Sequence, residues 1–284
     1  MLDGGEDIVW CVRGRPVVLA APLVMGILNV TPDSFVGSSR LGQVGGVLET
    51  AGRMLEEGAR ILDVGGASSR PGSVEVPADE ERRRVLPAIE ALHHRYPEAL
   101  ISVDTWRAAV AAEAVQAGAG LVNDISAGRM DADMLPCVAA LKVPYILMHM
   151  QGTPRTMQHA PVYQNVVAEV VHYLSGRVLA ARNAGIADVV VDPGFGFGKT
   201  TGHNYALLRG LPALKQLGVP VLAGLSRKRM INEVLGTTPE EALNGTTVLN
   251  TMALLNGAGI LRVHDVRQAV QALELLRAYR SLQG

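Results

Sequence analysis

The stretch Val189–Thr200 reads VVVDPGFGFGKT: three valines run into an aspartate, then Pro193, then glycines that close on Lys199-Thr200. Glycines ahead of a Lys-Thr pair raise the question of a phosphate-binding P-loop. That loop needs Gly, four residues, then Gly-Lys-Ser/Thr. Counting back from Gly198-Lys199, the first glycine falls at 193, which is proline. Proline there also removes a backbone N–H that would have faced a phosphate. The nucleotide reading fails. What remains is a buried strand that delivers a carboxylate, Asp192, to the mouth of a glycine-rich loop. Taken alone, such an aspartate caps a turn or a helix. It means more only if other strands end in the same way.

Short apolar runs recur along the chain: VMGILNV (24–30), RILDVGG (60–66), LISVDT (100–105), GLVNDIS (120–126), YILMHM (145–150), VVVDPG (189–194), PVLAGLS (220–226) and ILRVHD (260–265). They are continuously apolar rather than alternating, as strands of a parallel sheet covered on both faces are. Helix-period segments separate them, among them 44–58, 79–96, 107–118 and 239–257, and Gly58, Gly118 and Gly257 stand where C-cap glycines belong. Eight such units in 284 residues predict one (β/α)₈ barrel spanning 1–284 as a single domain. Ahead of the units, IVWCVRGRPVVLA carries two apolar arms around Gly14 and predicts a hairpin that closes the bottom of the barrel.

Composition excludes several classes. The formal net charge is −1, which gives no electrostatic case for nucleic acid or an anionic membrane. Cys11 and Cys137 have no metal spacing and suggest no disulfide framework, so a reducing cytoplasm is expected. Asp3, Glu6 and Asp7 near the N-terminus do not read as a signal peptide. The longest apolar run, Val17–Val30, is too short to cross a bilayer and contains Pro22.

In a barrel of this kind the C-terminal strand ends converge on one mouth, where the chemistry sits. Here they carry Asn29, Asp63, Asp104, Asn123 with Asp124, His149, Asp192, Ser226, and Arg262 with His264. Each has a structural explanation: Asp104 caps the helix that follows, Asp63 bonds within the barrel, His149 is a satisfied core histidine. A packed barrel needs none of these groups, and together they predict a polar pocket. Asp104, Asn123 and Asp192 suggest one wall of acceptors and amides, suited to a flat heterocycle whose ring edge presents several N–H groups. Arg70, Lys228, Arg262 and His264 suggest a second, cationic wall for a phosphorylated group. No cysteine nucleophile, H-E-x-x-H or serine elbow supports a hydrolase.

The motifs GILNVTPDSF, ILDVGGASSRPGS, SVDT, NDISAG, LMHMQGTPRTMQ, DPGFGFGKT, GLSRKRMI and RVHDV, in that order from about residue 24 to the end, resemble the dihydropteroate synthase family. That resemblance implies a barrel enzyme, usually dimeric, that joins 6-hydroxymethyl-7,8-dihydropterin diphosphate to 4-aminobenzoate with Mg²⁺ help. It implies that Asp104, Asn123, Met148, Asp192, Phe197 and Lys228 hold the pterin. Asn29, Ser69, Arg70, Arg262 and His264 would hold the diphosphate, with Asn29 on the Mg²⁺. Thr31, Pro32, Phe35, Ser69, Pro71 and Ser226 would line the aminobenzoate site. Asp104, Lys228, Arg262 and His264 would carry the chemistry through a pterin cation. The second loop departs from the family pattern: Ala67 stands where a glutamate is usual, and Ser69 where a threonine is. In the first loop Val36-Gly37-Ser38-Ser39 follows NVTPDSF in place of S-D-G-G. Two alternatives remain open on sequence alone: a pterin-binding methyltransferase domain, and a non-catalytic paralogue that binds pterin.

Overall fold

The structure, a computed structural model, describes residues 7–30, 40–67, 75–153, 155–157 and 160–281. Two antiparallel strands, β1 (Ile8–Val12) and β2 (Arg15–Leu19), come first. Eight parallel strands follow: β3 (Leu23–Asn29), β4 (Ile61–Gly65), β5 (Leu100–Asp104), β6 (Leu121–Asp124), β7 (Tyr145–Met148), β8 (Val189–Asp192), β9 (Leu222–Ala223) and β10 (Ile260–Val263). Helices stand between them: α1 (Arg40–Glu56), α2 (Ala78–Arg95), α3 (Ala108–Ala117), α4 (Met134–Leu141), α5 (Val166–Asn183), α6 (Thr201–Arg209), α7 (Arg229–Leu235), α8 (Leu243–Leu255) and α9 (Val266–Ser281). The strands pair in the order β8-β7-β6-β5-β4-β3-β10-β9. A parallel bridge between Val191 and Val221, with Val191 N donating to Pro220 O at 3.0 Å, joins the two ends of that sheet. The expected barrel is therefore present, and all eight apolar runs are its strands. Strand β9 is shorter than the run that predicts it, because Pro220 has no N–H to donate and the chain turns away after Gly224.

Strand residues alternate between two environments. One set of side chains packs outward against the helices: Val24, Leu28, Leu62, Val64, Ile101, Val103, Val122, Leu147, Val191, Leu261 and Val263 lie in the main core with helix residues such as Val47, Ile89, Val110 and Val266. The other set fills the barrel's lower interior: Leu23, Met25, Ile61, Leu121, Ile146, Val190, Leu222 and Ile260 pack together with Ile8, Trp10, Val12 and Leu19 of the hairpin. The hairpin thus closes the barrel bottom, as its two apolar arms predict. Its turn residues Arg13 (φ 52°) and Gly14 (φ 79°) are both left-handed, which is the two-residue turn whose twist matches a hairpin. Gly58, Gly118 and Gly257 have φ values of 102°, 127° and 94°, consistent with glycine at helix C-termini. Among the described residues no helix is long and apolar enough to cross a membrane.

Candidate active site

Counting two residues onward from the apolar floor gives the next inward layer: Asp63 after Ile61, Asn123 after Leu121, Met148 after Ile146, Asp192 after Val190, Arg262 after Ile260. On β5, Ser102 and Asp104 occupy the same inward register, and β3 ends inward at Asn29. Pleat geometry alone therefore collects these groups at the mouth. It also separates neighbours that look equivalent in sequence. Asp124 faces outward, where its Oδ2 accepts from Tyr145 Oη at 2.5 Å and its carboxylate accepts the N–H groups of Ser126 and Gly128, each at 2.7 Å. Asp124 is part of the outer packing, while Asn123 belongs to the pocket.

At the centre lies an ion-pair network that crosses the barrel. Arg262 donates through Nε to Asp63 Oδ2 and through Nη2 to Asp104 Oδ2, both at 2.6 Å. Asn123 Nδ2 donates to the same Asp63 oxygen at 3.0 Å. That bond fixes the amide orientation, so Asn123 turns its carbonyl oxygen, an acceptor, the other way. Burial alone would lower Arg262, but Asp63 and Asp104 hold it above its ordinary value. Asp104 is pushed up to about 7, chiefly by burial, with Arg262 opposing and Asp63 reinforcing the rise. Arg262, expected on a separate cationic wall, lies instead within the acidic one, while Arg70 of the cationic set lies outside the described residues. Arg262 stands between carboxylates, because a buried carboxylate requires a partner.

Beside this network Asp192 Oδ1 accepts from Gly194 N at 2.7 Å, so the turn-capping reading of Asp192 holds for one oxygen. Burial raises its pKa, while Lys228 and the Gly194 N–H oppose that rise. Lys228 Nζ donates to Phe195 O and lies 4.9 Å from the centroid of the Phe197 ring. Burial brings Lys228 down to about 8 despite the attraction of Asp192. Phe197 packs against an apolar cluster at the mouth formed by Trp106, Ile125, Met148, Met150 and Met157. Ala67 packs on the same cluster. The position where a glutamate is usual thus has an apolar neighbourhood here.

At the opposite rim, His264 Nδ1 lies 2.9 Å from Ser226 Oγ, and the His264 N–H donates to that oxygen at 3.2 Å. Ser226 Oγ thus bonds both the backbone and the ring of His264 and holds the imidazole in one orientation at the rim. Next to this pair Arg227, at φ 56°, is held by two bonds to Asp265, at 3.0 Å and 2.6 Å. The loops after β9 and β10 are therefore joined by two successive rungs. His149 is the satisfied core histidine, buried against Tyr173 in an edge-on contact with centroids 4.8 Å apart. Asp104 caps no helix: the N–H of Ala108, at the start of α3, is taken by Asp131 Oδ2 at 2.8 Å.

The structure thus brings Asn29, Asp104, Asn123, Met148, Asp192, Phe197, Ser226, Lys228, Arg262 and His264 to one end of the barrel. Thr31, Pro32, Phe35, Ser69, Arg70 and Pro71 lie outside the described residues. Trp106, Met150 and Met157 complete the mouth and are absent from the expected site, while Asp63 stands among the expected strand-end groups but was assigned no ligand. For Asp63 the signal was present: it follows Ile61 at the offset by which Asn123 follows Leu121.

Mg²⁺ is tested by the oxygens available. Among the described residues no three His, Cys, Asp or Glu side chains gather as a metal cage. Mg²⁺ does not require one, since it keeps waters and is bound through one or two protein oxygens plus substrate phosphates. Asn29 Oδ1 lies 3.7 Å from the point a Cβ on Gly65 would occupy, while Asp104 Oδ2, 3.8 Å from it, already accepts from Arg262, so Asn29 supplies the oxygen open to a cation. Asn29 fits such a partial site, with the remaining positions left to water and substrate oxygens.

Comparison with known proteins agrees with the geometry. A family model described as pterin binding enzyme matches residues 25–264. The dihydropteroate synthase of Escherichia coli K12 is 43% identical over 268 residues, covering 94% of each chain. A solved Xanthomonas albilineans dihydropteroate synthase with 4-aminobenzoic acid superposes with a TM-score of 0.90 at 46% identity, over 97% of this chain and 99% of that one. The same organism's enzyme in complex with 7,8-dihydropteroate gives a TM-score of 0.86 at 44% identity, over 96% and 99%. With its barrel, its inward polar layer and these relatives over nearly its whole length, the chain belongs to the dihydropteroate synthase family of pterin-binding enzymes.

Proposed function

We propose that this protein joins 6-hydroxymethyl-7,8-dihydropterin diphosphate to 4-aminobenzoate, forming 7,8-dihydropteroate and diphosphate. The observation that carries the reading is the inward layer itself. Asp192 keeps one carboxylate oxygen for a ligand and Asn123 is oriented to present its carbonyl, beside the apolar surface of Phe197 and Met148. A pterin has a flat ring whose pyrimidine edge supplies parallel N–H donors, and a buried carboxylate accepts two of them well.

In this reading Asp192 and Asn123 fix the ring and Lys228 supplies a donor to it. The bond between the pterin methylene carbon and the diphosphate oxygen breaks with its electron pair leaving on oxygen. The cation left behind is delocalised by the ring, and ionised Asp104 stabilises it electrostatically. The aryl amine then forms the new C–N bond and releases one proton. Arg262 and His264 would face the departing diphosphate, and Asn29 would hold Mg²⁺ beside it. When bound, Mg²⁺ would neutralise negative charge on the leaving group. The weakly basic amine needs no strong general base, so positioning and electrostatics suffice.

The relatives favour the synthase over a corrinoid methyltransferase. Incubation with the pterin diphosphate, 4-aminobenzoate and Mg²⁺ should release diphosphate over many turnovers, in step with 7,8-dihydropteroate, only when the amine is present. No amine-dependent release would overturn the proposal. We also propose a homodimer in the cytoplasm. The two free cysteines support a reducing setting. On α8, Val248, Met252 and Leu255 are exposed at a spacing that puts them on one helix face, and Leu275 and Tyr279 of α9 are exposed as well. A second copy of the chain, with its near-zero net charge, meets little repulsion at such a face.

A further inference from the structure

The lysine that closes the glycine-rich loop has no part in the chemistry above, yet Lys199 is only 3% exposed. Its Nζ lies 2.8 Å from Gly194 O, 3.0 Å from Phe197 O and 2.9 Å from His149 Nδ1, with His149 O farther away at 3.4 Å. Burial brings Lys199 down to about 7, with Asp192 opposing that fall; its ammonium form has three hydrogens and no acceptor, and these three nearest groups use all of them. His149 accepts at Nδ1 only as a neutral ring. Burial, and after it the charge of Lys199, pushes His149 down to about 3, which keeps it neutral. Lys199 therefore ties together two turns, the one after β7 that carries His149 and the one after β8 that carries Phe197.

The backbone is shaped for this contact. A Cβ on Gly194 would stand 1.9 Å from His149 O, and one on Gly198 would stand 2.5 Å from Gln151 O. Both glycines also have positive φ, 69° and 63°. They let the loop lie directly on the β7 turn, and Lys199 pins it from behind. Lys228 holds the same loop from the mouth side, at Phe195 O. Asp192 is bound into it through the Gly194 N–H. The course of this short backbone decides where the Phe197 ring stands and how Asp192 is aimed.

We infer that Lys199 is a positioning residue for the pterin slot: it fixes the Gly194–Phe197 backbone against the His149 turn, so that Phe197 and Asp192 meet a flat ring in one geometry. The inference rests on the pterin reading above and adds to it a residue that touches no ligand. Supporting groups of this kind matter because a binding constellation loses affinity when its scaffold loosens.

The test is Lys199→Met, which keeps an apolar stem and removes the ammonium. Calorimetry with free pterin should show binding weakened by about tenfold or more, the scale of one charge-assisted hydrogen bond. KM for the pterin diphosphate should rise with it, while KM for 4-aminobenzoate at saturating pterin diphosphate stays within about twofold. Amide exchange should quicken at Gly194–Phe197. A folded Lys199→Met protein that binds pterin as the unmodified protein does would overturn the inference. So would an equal rise of both KM values alongside a general loss of thermal stability, which would make the lysine structural only. If Lys199→Met does not fold, His149→Leu decides instead. It deletes one of the three acceptors and should weaken pterin by about three- to fivefold, and unchanged affinity overturns the inference. Failure of the unmodified protein to bind pterin would overturn the functional reading and this inference together. Binding by it, unaltered in the variants, overturns this inference alone.

Discussion

Arg262 and Asp63 lie 199 residues apart in the chain and 2.6 Å apart in the fold. The pair joins β10 to β4 across the mouth, and the same guanidinium continues to Asp104. In the proposed reaction an arginine so engaged would serve the pterin end of the pocket as well as the diphosphate end.

Arg262→Ala should therefore weaken free pterin as well as the pterin diphosphate. It would leave Asp63, fully buried, without its cation, and breaking a buried pair from one side costs about 3–5 kcal/mol. Calorimetry with both ligands and a thermal melt check this. Weakening confined to the diphosphate ligand, with unchanged stability, would show that Arg262 acts on the leaving group alone.

Asp192 has two duties that a pair of variants separates. Asp192→Asn keeps an oxygen for the Gly194 N–H and loses the charge, whereas Asp192→Ala loses both. Bonds to charged groups contribute about 1.5–3 kcal/mol each, so either variant should weaken pterin by about tenfold or more. Only the alanine variant should also lose thermal stability. Pterin binding unchanged in Asp192→Asn would remove Asp192 from the ligand set.

The acid limb of the pH profile should belong to Asp104. Burial raises its pKa to about 7, so it is protonated below that pH and cannot stabilise a developing cation. kcat/KM for the pterin diphosphate, which reports the free enzyme, should fall as pH drops through about 7. Stability runs the other way. A carboxyl whose folded pKa exceeds its unfolded value of 3.8 loses stability as pH rises from there toward about 7. Asp104→Asn should abolish the limb and lower kcat by about a hundredfold, the scale of one preorganised electrostatic contact. A limb that persists in Asp104→Asn assigns it to another group.

The exposed face of α8 should be covered by a second copy. Met252→Glu puts a charge in the middle of the exposed Val248, Met252 and Leu255 face. Sedimentation should show a dimer for the unmodified protein and a monomer for the variant. A monomer in both cases would refute the dimer.

Much of this was open in the sequence because parallel strands advertise themselves. Each is buried on both faces, so each reads as an apolar run, and each ends where a polar group appears. Asp192, Asp104, Asn123 and Arg262 were legible for that reason. The hairpin was legible from its two apolar arms around Gly14. Asp63 was visible among the strand-end groups, but its partners, Arg262 and Asn123, were not, since both lie on other strands. Trp106, Met150 and Met157 were not legible, since an apolar side chain at a mouth looks like one in a core until the chain is folded.

The sequence by itself determined the eight strands, the barrel and which residue types reach its mouth, because hydrophobic patterning and strand-end chemistry are local and periodic. Only the tertiary structure decided the partners. It set Arg262 between Asp63 and Asp104 rather than on a separate wall, sent Asp124 outward to Tyr145, and put Lys199 onto three acceptors beneath the loop. The physical reason is that pairing and burial of charge depend on distance in space. Groups 60 to 199 residues apart in the chain become neighbours only once the strands are wound into register.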